Sequence, residues 1–481
     1  SVRRSLFIEI MIAKIPLRKI YYYSKVLFVL LLFGTAYSII EYWRHDSKKI
    51  VDNVSDEHFY EMQIQADEAK IVPGLGEGGN PVELKGVELE RGVMLTNKYV
   101  MNIELSDKIS LNRTLKDYRN PWCKHLVYNP VLPSVSVVVV FHNEPMSAIL
   151  RTVWNPNSTY VFLKEIILVD DNSTLVELKG KLDYYIKSRL PTDIVRVVRL
   201  PQRVGLIQAK NRGVASAVGD VLMFLDAHCE PDTDWLRPLL HRIHFSQTIV
   251  VTPIIDSVNN TSFQYHTPGS RDIHIGGFAF SGLFYWIDIP EREKNLVVIV
   301  DCIDHRRSPT MAGGLFAISR TYFWHLGGYD ELMVGWGGEN LELSFKVWQC
   351  GGSLETIPCS RVGHVDRPYR PYEYAETHGI NVARMAEVWM DEYKELFYLS
   401  RPGIKGSSRI GDVTNRRILR EKLHCKSFTW FLHNIYPEKV VPVYSLGYGR
   451  SCIANHSHGS CIIYIQRKLC LFIHSAMGGE C

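Results

Sequence analysis

Asp226 and His228 are the residues of this chain whose types and spacing best suit a metal ion. They are separated by one residue and follow an apolar run, residues 221–225, that predicts a buried strand. Beyond the end of a strand both side chains can converge on one cation. A carboxylate oxygen and an imidazole nitrogen together suit Mn(II) better than Mg(II), whose sites consist mostly of oxygen ligands. His364, far along the chain, is a candidate third ligand.

Polar residues also follow other predicted strands. Short β-branched runs at residues 134–141, 165–169, 194–199 and 221–225 alternate with segments of helical composition. Near-continuous apolar strands separated by helices predict an α/β fold with a covered, mostly parallel sheet. Ligands of such sheets bind beyond the carboxyl ends of the strands, where Asn143, Asp170, Asp171 and Asp226 fall. Each residue alone is better explained by a turn or a helix cap, but several together predict a binding crevice.

Composition excludes several classes of protein. The chain has 481 residues, of which 46% are hydrophobic and 22% are charged, so it is neither disordered nor collagen-like. A formal net charge of +4, without a block rich in Lys and Arg, does not predict a nucleic-acid partner. No glycine-rich phosphate loop of Walker or Rossmann type is present. A diphosphate in the crevice would therefore be held by a metal and basic side chains.

The amino-terminal region predicts a membrane anchor. Residues 26–40 are apolar and uncharged, and residues 1–25 contain an excess of Lys and Arg. This arrangement predicts a cytosolic tail at 1–25, a transmembrane signal anchor at 26–40 and a lumenal body. A cleaved signal peptide is the alternative, but no clear small-x-small cleavage site follows the apolar run. The polar residues 41–105 predict a stem.

A lumenal body is consistent with two further patterns. Asn-x-Ser/Thr triplets, the acceptors of N-linked glycans, begin at Asn53, Asn112, Asn157, Asn172, Asn259, Asn260 and Asn455. Ten cysteines in an oxidising compartment predict disulfides, although their spacing alone does not pair them.

Several ordered motifs resemble one family, the polypeptide N-acetylgalactosaminyltransferases, which are Golgi enzymes that start mucin-type O-glycosylation. The matching segments are 141–144 (FHNE), the strand ending in Asp170 and Asp171, 205–207 (GLI), 226–228 (DAH), 311–316 (MAGGLF), 336–342 (WGGENLE), 359–364 (CSRVGH) and 388–393 (VWMDEY). The resemblance implies a type A glycosyltransferase fold, Rossmann-like with a mostly parallel central sheet flanked by helices, as a catalytic domain at 106–440.

The resemblance also implies a role for each site residue. Asp226, His228 and His364 match Mn(II) ligands, and Phe141, His142, Asn143 and Asp171 match positions that hold uridine. Arg203 matches a basic residue that faces the diphosphate, and Arg367 and Tyr372 match a loop that closes over it. Glu339 and Asn340 match residues around the GalNAc hydroxyls, and Trp336 is expected on a strand of that pocket.

The implied reaction is transfer of GalNAc from UDP-GalNAc to Ser or Thr hydroxyls of polypeptides, with retention of configuration. The metal, Arg203 and Arg367 would stabilise the departing UDP. A leaving phosphate oxygen can take the acceptor proton, so no side-chain base is needed. Glu339 could instead be a covalent nucleophile, as in retaining hydrolases, but the resemblance favours a sugar-binding role. The expected location is the Golgi membrane, as a single-pass type II protein with one N-terminal helix.

Cysteine pairs follow from the same resemblance. It implies one disulfide between Cys123 and Cys359 and another between Cys350 and Cys425. Cys229, beside the metal motif, is interpreted as a small buried residue without a catalytic role.

The chain also departs from the family pattern. Residues 441–481 stand where a lectin domain is usual and are too short for one, so no sugar binding is expected of them. Residues 151–163 are shorter than the usual first helix and contain Pro156, which interrupts helices. Asp366 stands where an aromatic residue commonly contacts the acceptor, residues 276–280 lack the usual Asp and Trp, and Gln208 and Lys210 stand where Arg is frequent.

Two alternatives to the transferase remain open. One is a catalytically weak family member that binds peptides or partner enzymes in the Golgi, which the departures favour. The other is a relative that uses UDP-galactose, because the 336–342 segment resembles one shared with galactosyltransferases.

Overall fold

The computed structural model describes most of the chain outside its two ends. The described residues are 34, 35, 38, 56–154, 161–191, 193–267, 273–294, 305–369, 377–442, 451–453 and 460–462. Their contacts divide the chain into two units, residues 1–69 and residues 70–481. In the first unit, residues 56–68 form helix α1.

The predicted membrane anchor lies almost entirely outside the described residues. Of residues 26–40, only 34, 35 and 38 are described, and the tail at 1–25 is not. Across the described ranges, no helix combines the length and the apolar character that a membrane crossing requires.

A mixed β-sheet is the centre of the second unit. Its strands in chain order are β1 Val135–Phe141, β2 Leu163–Asp170, β3 Val195–Arg199, β4 Val221–Asp226, β5 Cys229–Pro231, β6 Ile249–Val258, β7 Tyr265–His266, β10 Arg306–Arg307, β11 Phe316–Ser319 and β12 Ser353–Val365. Strands β8 His274–Phe278 and β9 Phe284–Asp288 lie between β7 and β10 in the sequence and form a separate hairpin. A further antiparallel pair joins β13 Ser451–Ile453 to β14 Ser460–Ile462.

The spatial order of the main sheet is β10-β12-β6-β11-β4-β1-β2-β3. Neighbours β3, β2, β1 and β4 are parallel, and so are β6 and β12, whereas β11 is antiparallel to β4 and β6 and β10 is antiparallel to β12. The short strands β5 and β7 add to β12 and β6. The prediction of a mostly parallel central sheet is therefore confirmed for β1 to β4 only, because the later strands include antiparallel pairs and make the sheet as a whole mixed.

The four strands predicted from β-branched runs are β1 to β4, and each is found within two residues of its predicted bounds. Seven of the eight residues of β2 and five of the six residues of β4 are buried. Burial on both faces is the reason why these strands read as continuous apolar runs rather than as an alternating pattern.

Helices cover the sheet. In chain order they are α2 Gly86–Tyr99, α3 Ile103–Ser106, α4 Met146–Trp154, α5 Gly180–Arg189, α6 Leu206–Ala215, α7 Leu236–Phe245, α8 Glu291–Lys294, α9 Arg320–His325, α10 Glu339–Gln349, α11 His378–Trp389, α12 Lys394–Ser400, α13 Thr414–Lys422 and α14 Phe428–Asn434. Helix α6 packs on β1 and β2, while α7 packs on β6 and β12. Helix α4 ends at Trp154, and Pro156 lies outside the described residues.

Folded structure begins before the predicted boundary at residue 106. Met101 and Leu105 are fully buried in a cluster that includes Val258 and Tyr265 of the body. The side chain of Asn102 caps α3 by accepting a hydrogen bond from the Leu105 amide (3.1 Å). The residues from 70 to 105, predicted to be stem, therefore belong to the folded unit.

Both disulfides implied by the resemblance are present. Cys123 is bonded to Cys359, with Cα atoms 5.5 Å apart, and Cys350 is bonded to Cys425. The first bond joins the entry segment to β12, and the second follows α10. Cys229 is a free buried thiol, as interpreted.

Candidate active site

A cavity of about 1320 Å³ opens at the carboxyl ends of β1, β2 and β4. Eleven of the thirteen residues predicted for the site line it: Phe141, His142, Asp171, Arg203, Asp226, His228, Trp336, Glu339, Asn340, His364 and Arg367. Asn143 is not among the lining residues. Tyr372 lies outside the described residues.

The three predicted metal ligands come together in this cavity. Asp226 is the last residue of β4, and His228 lies in the turn that leads to β5. Strand β12 pairs with β5 so that His364 stands opposite Cys229, the neighbour of His228. The Nε2 atom of His364 lies 3.3 Å from Oδ2 of Asp226, and the ring centroids of the two histidines are 4.7 Å apart. Pairing of β5 with β12 therefore brings the distant third residue to the other two.

The protonation states of Asp226 and His228 are those that favour binding of a cation. Burial alone raises the pKa of the Asp226 carboxyl, but the imidazole of His364 and the charge of Lys210 outweigh it and hold that pKa well below its usual range. Burial and the nearby charge of Arg367 lower the pKa of His228, which favours the neutral imidazole that binds metals. Across the described residues, the buried Nδ1 atom of His228 makes no hydrogen bond of standard geometry.

The ligands are not gathered around one point. In the described part of the chain, no group of three or more His, Cys, Asp or Glu side chains is arranged to hold a metal ion as it stands. His364 contacts Asp226 directly, and Nδ1 of His228 lies 3.4 Å from a carboxylate oxygen of Glu144. The three side chains fit Mn(II) in ligand type and charge.

Glu144 is a site residue that the sequence analysis did not assign. Its carboxylate accepts two hydrogen bonds from the guanidinium of Arg367, one of them from Nη1 at 3.1 Å, and both side chains are buried. Burial alone raises the pKa of Glu144, but the charge of Arg367 and the imidazole of His228 outweigh it and lower that pKa to about 2. Within the described part of the chain, the buried Nε atom of Arg367 has no hydrogen-bond partner. The signal available in the sequence was the FHNE segment, although nothing there indicates a contact across 223 residues.

Asp171 and His142 form one wall of the cavity. Asp171 accepts hydrogen bonds from the amides of Val204 and Gly205, at 2.7 and 2.9 Å. The Nδ1 atom of His142 lies 2.8 Å from the carbonyl oxygen of Asp171, which can accept from it. Gly205 has a φ of 85°, and a Cβ there would collide with the backbone of Gly335. Asp171 thus anchors the loop that presents Arg203.

Asn143 and Asp170 form hydrogen bonds that stabilise the loops next to this wall. The Oδ1 atom of Asn143 accepts hydrogen bonds from the amides of Thr174 (2.6 Å) and Leu175 (3.2 Å), and its backbone has a φ of 51°. Asp170 accepts from Arg199 (2.6 Å) and from the amide of Ser173 (2.7 Å). Asn143 therefore joins two loops beside the cavity, and its predicted contact with uridine stays a prediction.

The opposite wall is the start of α10. Glu339 is buried and its Oε2 atom accepts a hydrogen bond from the amide of Gly337 at 3.0 Å. The side-chain nitrogen of Asn340 donates to the carbonyl of Met311 at 2.9 Å. Both residues lie at the first turn of the helix and line the cavity.

Trp336 lies in a loop before α10, so the expectation of a strand position is wrong. Three glycines with positive φ, at 335, 337 and 338, give this loop a path that a strand does not follow. Asn381, which the sequence analysis missed, donates to the carbonyls of Val334 and Gly337, both at 2.9 Å. The Trp336 ring is partly exposed beside His378, with centroids 5.9 Å apart.

Lys210 and Gln208, noted as departures, have defined contacts. Lys210 is buried in the cavity wall and donates to the carbonyl of Gly313 at 2.9 Å. Gln208 donates to the carbonyls of residues 330, 331 and 333. Both side chains therefore support loops at the rim of the cavity.

Comparisons with protein families match two profiles. The profile described as glycosyl transferase family 2 matches residues 136–327, and the profile described as the N-terminal domain of galactosyltransferase matches residues 297–371. The two together run from residue 136 in β1 to residue 371, beyond the end of β12, and include most of the cavity-lining residues.

Individual relatives match a larger share of the chain. Polypeptide N-acetylgalactosaminyltransferase 13 of Rattus norvegicus is 44% identical over 424 residues, which are 85% of this chain and 74% of the relative. Probable N-acetylgalactosaminyltransferase 9 of Caenorhabditis elegans is 44% identical over 76% of this chain, and the match spans 64% of that relative. The crystal structure of GalNAc-T7 with UDP, GalNAc and Mn2+ superposes with a TM-score of 0.74 at 38% identity, covering 82% of this chain and 73% of that one.

Proposed function

The chain belongs to the polypeptide N-acetylgalactosaminyltransferase family and has its type A glycosyltransferase fold, and we propose that it transfers GalNAc from UDP-GalNAc to Ser and Thr hydroxyls of polypeptides. The observation that carries this proposal is the meeting of Asp226, His228 and His364 with Glu339 and Asn340 in one cavity. A metal-holding set and a set of hydrogen-bonding groups for a sugar are the two parts that a nucleotide-sugar donor needs.

Asp226, His228 and His364 would hold Mn(II). Bound there, the cation would neutralise negative charge that develops on the diphosphate of UDP. Arg203 and Arg367 would add charge-assisted hydrogen bonds to the same oxygens. The Nε donor of Arg367 supports this role, because Glu144 fixes the guanidinium inside the cavity and that atom has no hydrogen-bond partner among the described residues.

The sugar and the acceptor would meet beside α10. Glu339 and Asn340 would orient the GalNAc hydroxyls, while Phe141, His142 and Asp171 would position the uridine. The acceptor hydroxyl would attack from the side that the phosphate leaves, so that configuration is retained. A phosphate oxygen would take the proton, and no side chain is required as a base.

We also propose that the protein works in the Golgi lumen, anchored as a type II membrane protein by residues 26–40. The apolar, uncharged character of this segment and the basic residues before it support the orientation. Fluorescence protease protection with a tag at each end, combined with Golgi markers, tests both statements. Cleavage of an amino-terminal tag from the cytosolic side is expected, and protection of that tag would contradict the topology.

A transfer assay tests the reaction. The full chain, purified in detergent, is incubated with Mn(II), a peptide rich in Thr, Ser and Pro, and UDP-GalNAc, and the peptide is analysed by mass spectrometry. One added HexNAc per modified hydroxyl is expected. Asp226→Asn is the matched inactive control, since it removes a ligand charge and keeps the shape of the side chain. Binding of UDP without any transfer would favour the catalytically weak family member instead.

UDP-galactose is a second candidate donor, because residues 297–371 match the galactosyltransferase profile, and the same assay tests it. With UDP-galactose in place of UDP-GalNAc, the proposal expects little transfer. A higher rate with UDP-galactose would identify a galactosyltransferase built on this fold.

A further inference from the structure

Asp366 is an exposed carboxylate at the cavity, directly after β12 and two residues beyond His364. Its backbone amide donates to the carbonyl of Val258 at 2.9 Å, so its Cα is fixed by the sheet. Its side chain accepts a hydrogen bond from the hydroxyl of Ser257. The carboxylate is therefore held in place while it faces solvent.

No cation in the described ranges forms an ion pair with Asp366. The adjacent Arg367 is committed to Glu144. The other carboxylates that line the cavity are engaged differently: Glu144 by Arg367, Asp171 by two amides, Asp226 by His364 and Glu339 by one amide. Among the described residues, Asp366 is thus the cavity carboxylate that is exposed and has no basic side chain paired with it.

The cavity that Asp366 lines also carries exposed apolar and aromatic side chains that suit the stem of a basic residue. Leu283, Trp286 and Tyr369 line the same cavity and are 53%, 48% and 58% exposed. Aromatic faces attract ammonium and guanidinium groups, and their apolar surface accommodates the methylene stems of Lys and Arg. A basic side chain would therefore find both a charge partner and a stem-binding surface here, whereas an acidic one would meet a like charge.

We propose that Asp366 makes the protein prefer acceptor peptides with Lys or Arg close to the modified Ser or Thr. This inference rests on the proposed function, because it takes the ligand at the cavity mouth to be a polypeptide. An exposed ion pair changes affinity only modestly, so the preference for Lys over Gln at the sensitive position is about threefold to fivefold. The preference weakens as salt is added, because the pair is exposed to solvent.

The test uses one neutral acceptor peptide and variants that carry Lys, Gln or Glu at each of three positions on either side of the Thr. Binding to the full chain in the presence of UDP and Mn(II) is measured by fluorescence anisotropy, and kcat/KM for transfer is measured in parallel. The proteins are the wild type, Asp366→Asn, Asp366→Lys and the control Glu421→Gln, which removes an exposed carboxylate on α13 that does not line the cavity.

For the wild type and Glu421→Gln, we expect the Lys peptide to bind most tightly, the Gln peptide less tightly and the Glu peptide least tightly at one or more positions. Asp366→Asn is expected to remove this order of affinities, and Asp366→Lys is expected to reverse it. Equal binding of Lys and Glu peptides by the wild type, or an order that survives in Asp366→Asn, overturns the inference. If no peptide is glycosylated but the charge order in binding is present and depends on Asp366, the inference stands and the proposed function fails.

Discussion

Replacing Glu144 is expected to be among the most damaging single changes at the cavity that leave every predicted metal ligand in place. The Glu144→Gln side chain keeps the shape of the original but cannot neutralise the guanidinium of Arg367. Both partners are buried, with 6% and 8% of their side chains exposed. The variant therefore contains a buried cation without its anion.

The magnitude follows from burial. Removing one partner of a buried, hydrogen-bonded ion pair costs about 3–5 kcal/mol, since the remaining charge loses its compensation in a poorly solvated place. The pair between Lys405 and Glu395 provides a matched control, because its side chains are 57% and 52% exposed. Removing an exposed partner costs at most about 1 kcal/mol. We expect Glu144→Gln to lower the free energy of unfolding by about 2–4 kcal/mol more than Glu395→Gln does.

Urea unfolding followed by tryptophan fluorescence gives the free energy of unfolding for the wild type and both variants. Steady-state kinetics with UDP-GalNAc at saturating peptide gives the second measurement, since a displaced Arg367 weakens contact with the diphosphate. Equal stability losses in Glu144→Gln and Glu395→Gln would refute the argument that burial of the pair determines its energy. A loss of stability with unchanged kinetics would refute the positioning of Arg367 by Glu144.

Three further outcomes test other parts of the structure. His228→Ala is expected to abolish Mn(II)-dependent turnover with an unchanged far-UV circular dichroism spectrum; activity with unaltered Mn(II) dependence would exclude His228 as a ligand. Replacing Cys123 and Cys359 together by Ser should lower the free energy of unfolding by about 2–5 kcal/mol, because the bond joins residues 236 positions apart. Thermal and urea unfolding measure this loss, and unchanged stability would contradict it. Burial raises the pKa of Asp232 from 3.8 to about 6, so the native state favours the protonated carboxyl. Below pH 3.8 the carboxyl is protonated in both the native and the unfolded state, so burial of its charge does not lower the free energy of unfolding. As the pH rises through about 6, the free energy of unfolding of the wild type falls by about 3 kcal/mol relative to that of Asp232→Asn. Urea unfolding of both proteins at several pH values in that window checks the change, and a constant difference would rule it out.

The sequence predicted the parts of the fold that depend on local pattern. The β-branched runs located β1 to β4, because strands buried on both faces must be apolar throughout. The Asp-x-His spacing after β4 placed two ligands within reach of one cation. The pairing of the cysteines was obtained only from the family resemblance, since spacing does not specify which thiols meet.

Other features could not be predicted from local pattern. Helix α2 was assigned to a stem because its residues show no sustained apolar periodicity. Trp336 was placed on a strand, although glycines with positive φ turn that segment into a loop. Backbone contacts such as those of Asp171 with the loop at 204–205 leave no trace in residue types. Such contacts depend on which segments the fold brings together.

Local patterns and motifs in the sequence were thus sufficient to predict the class of fold, the family and the three candidate metal ligands Asp226, His228 and His364. The tertiary structure decided how the distant residues meet: β5 pairs with β12 and brings His364 to Asp226, and Glu144 and Arg367 pair across 223 residues. The physical reason is that strand patterns and motifs depend only on residues that are close together in the sequence. Ion pairs, cavity walls and the exposed charge of Asp366 arise from burial and solvation, which exist only once the chain has folded.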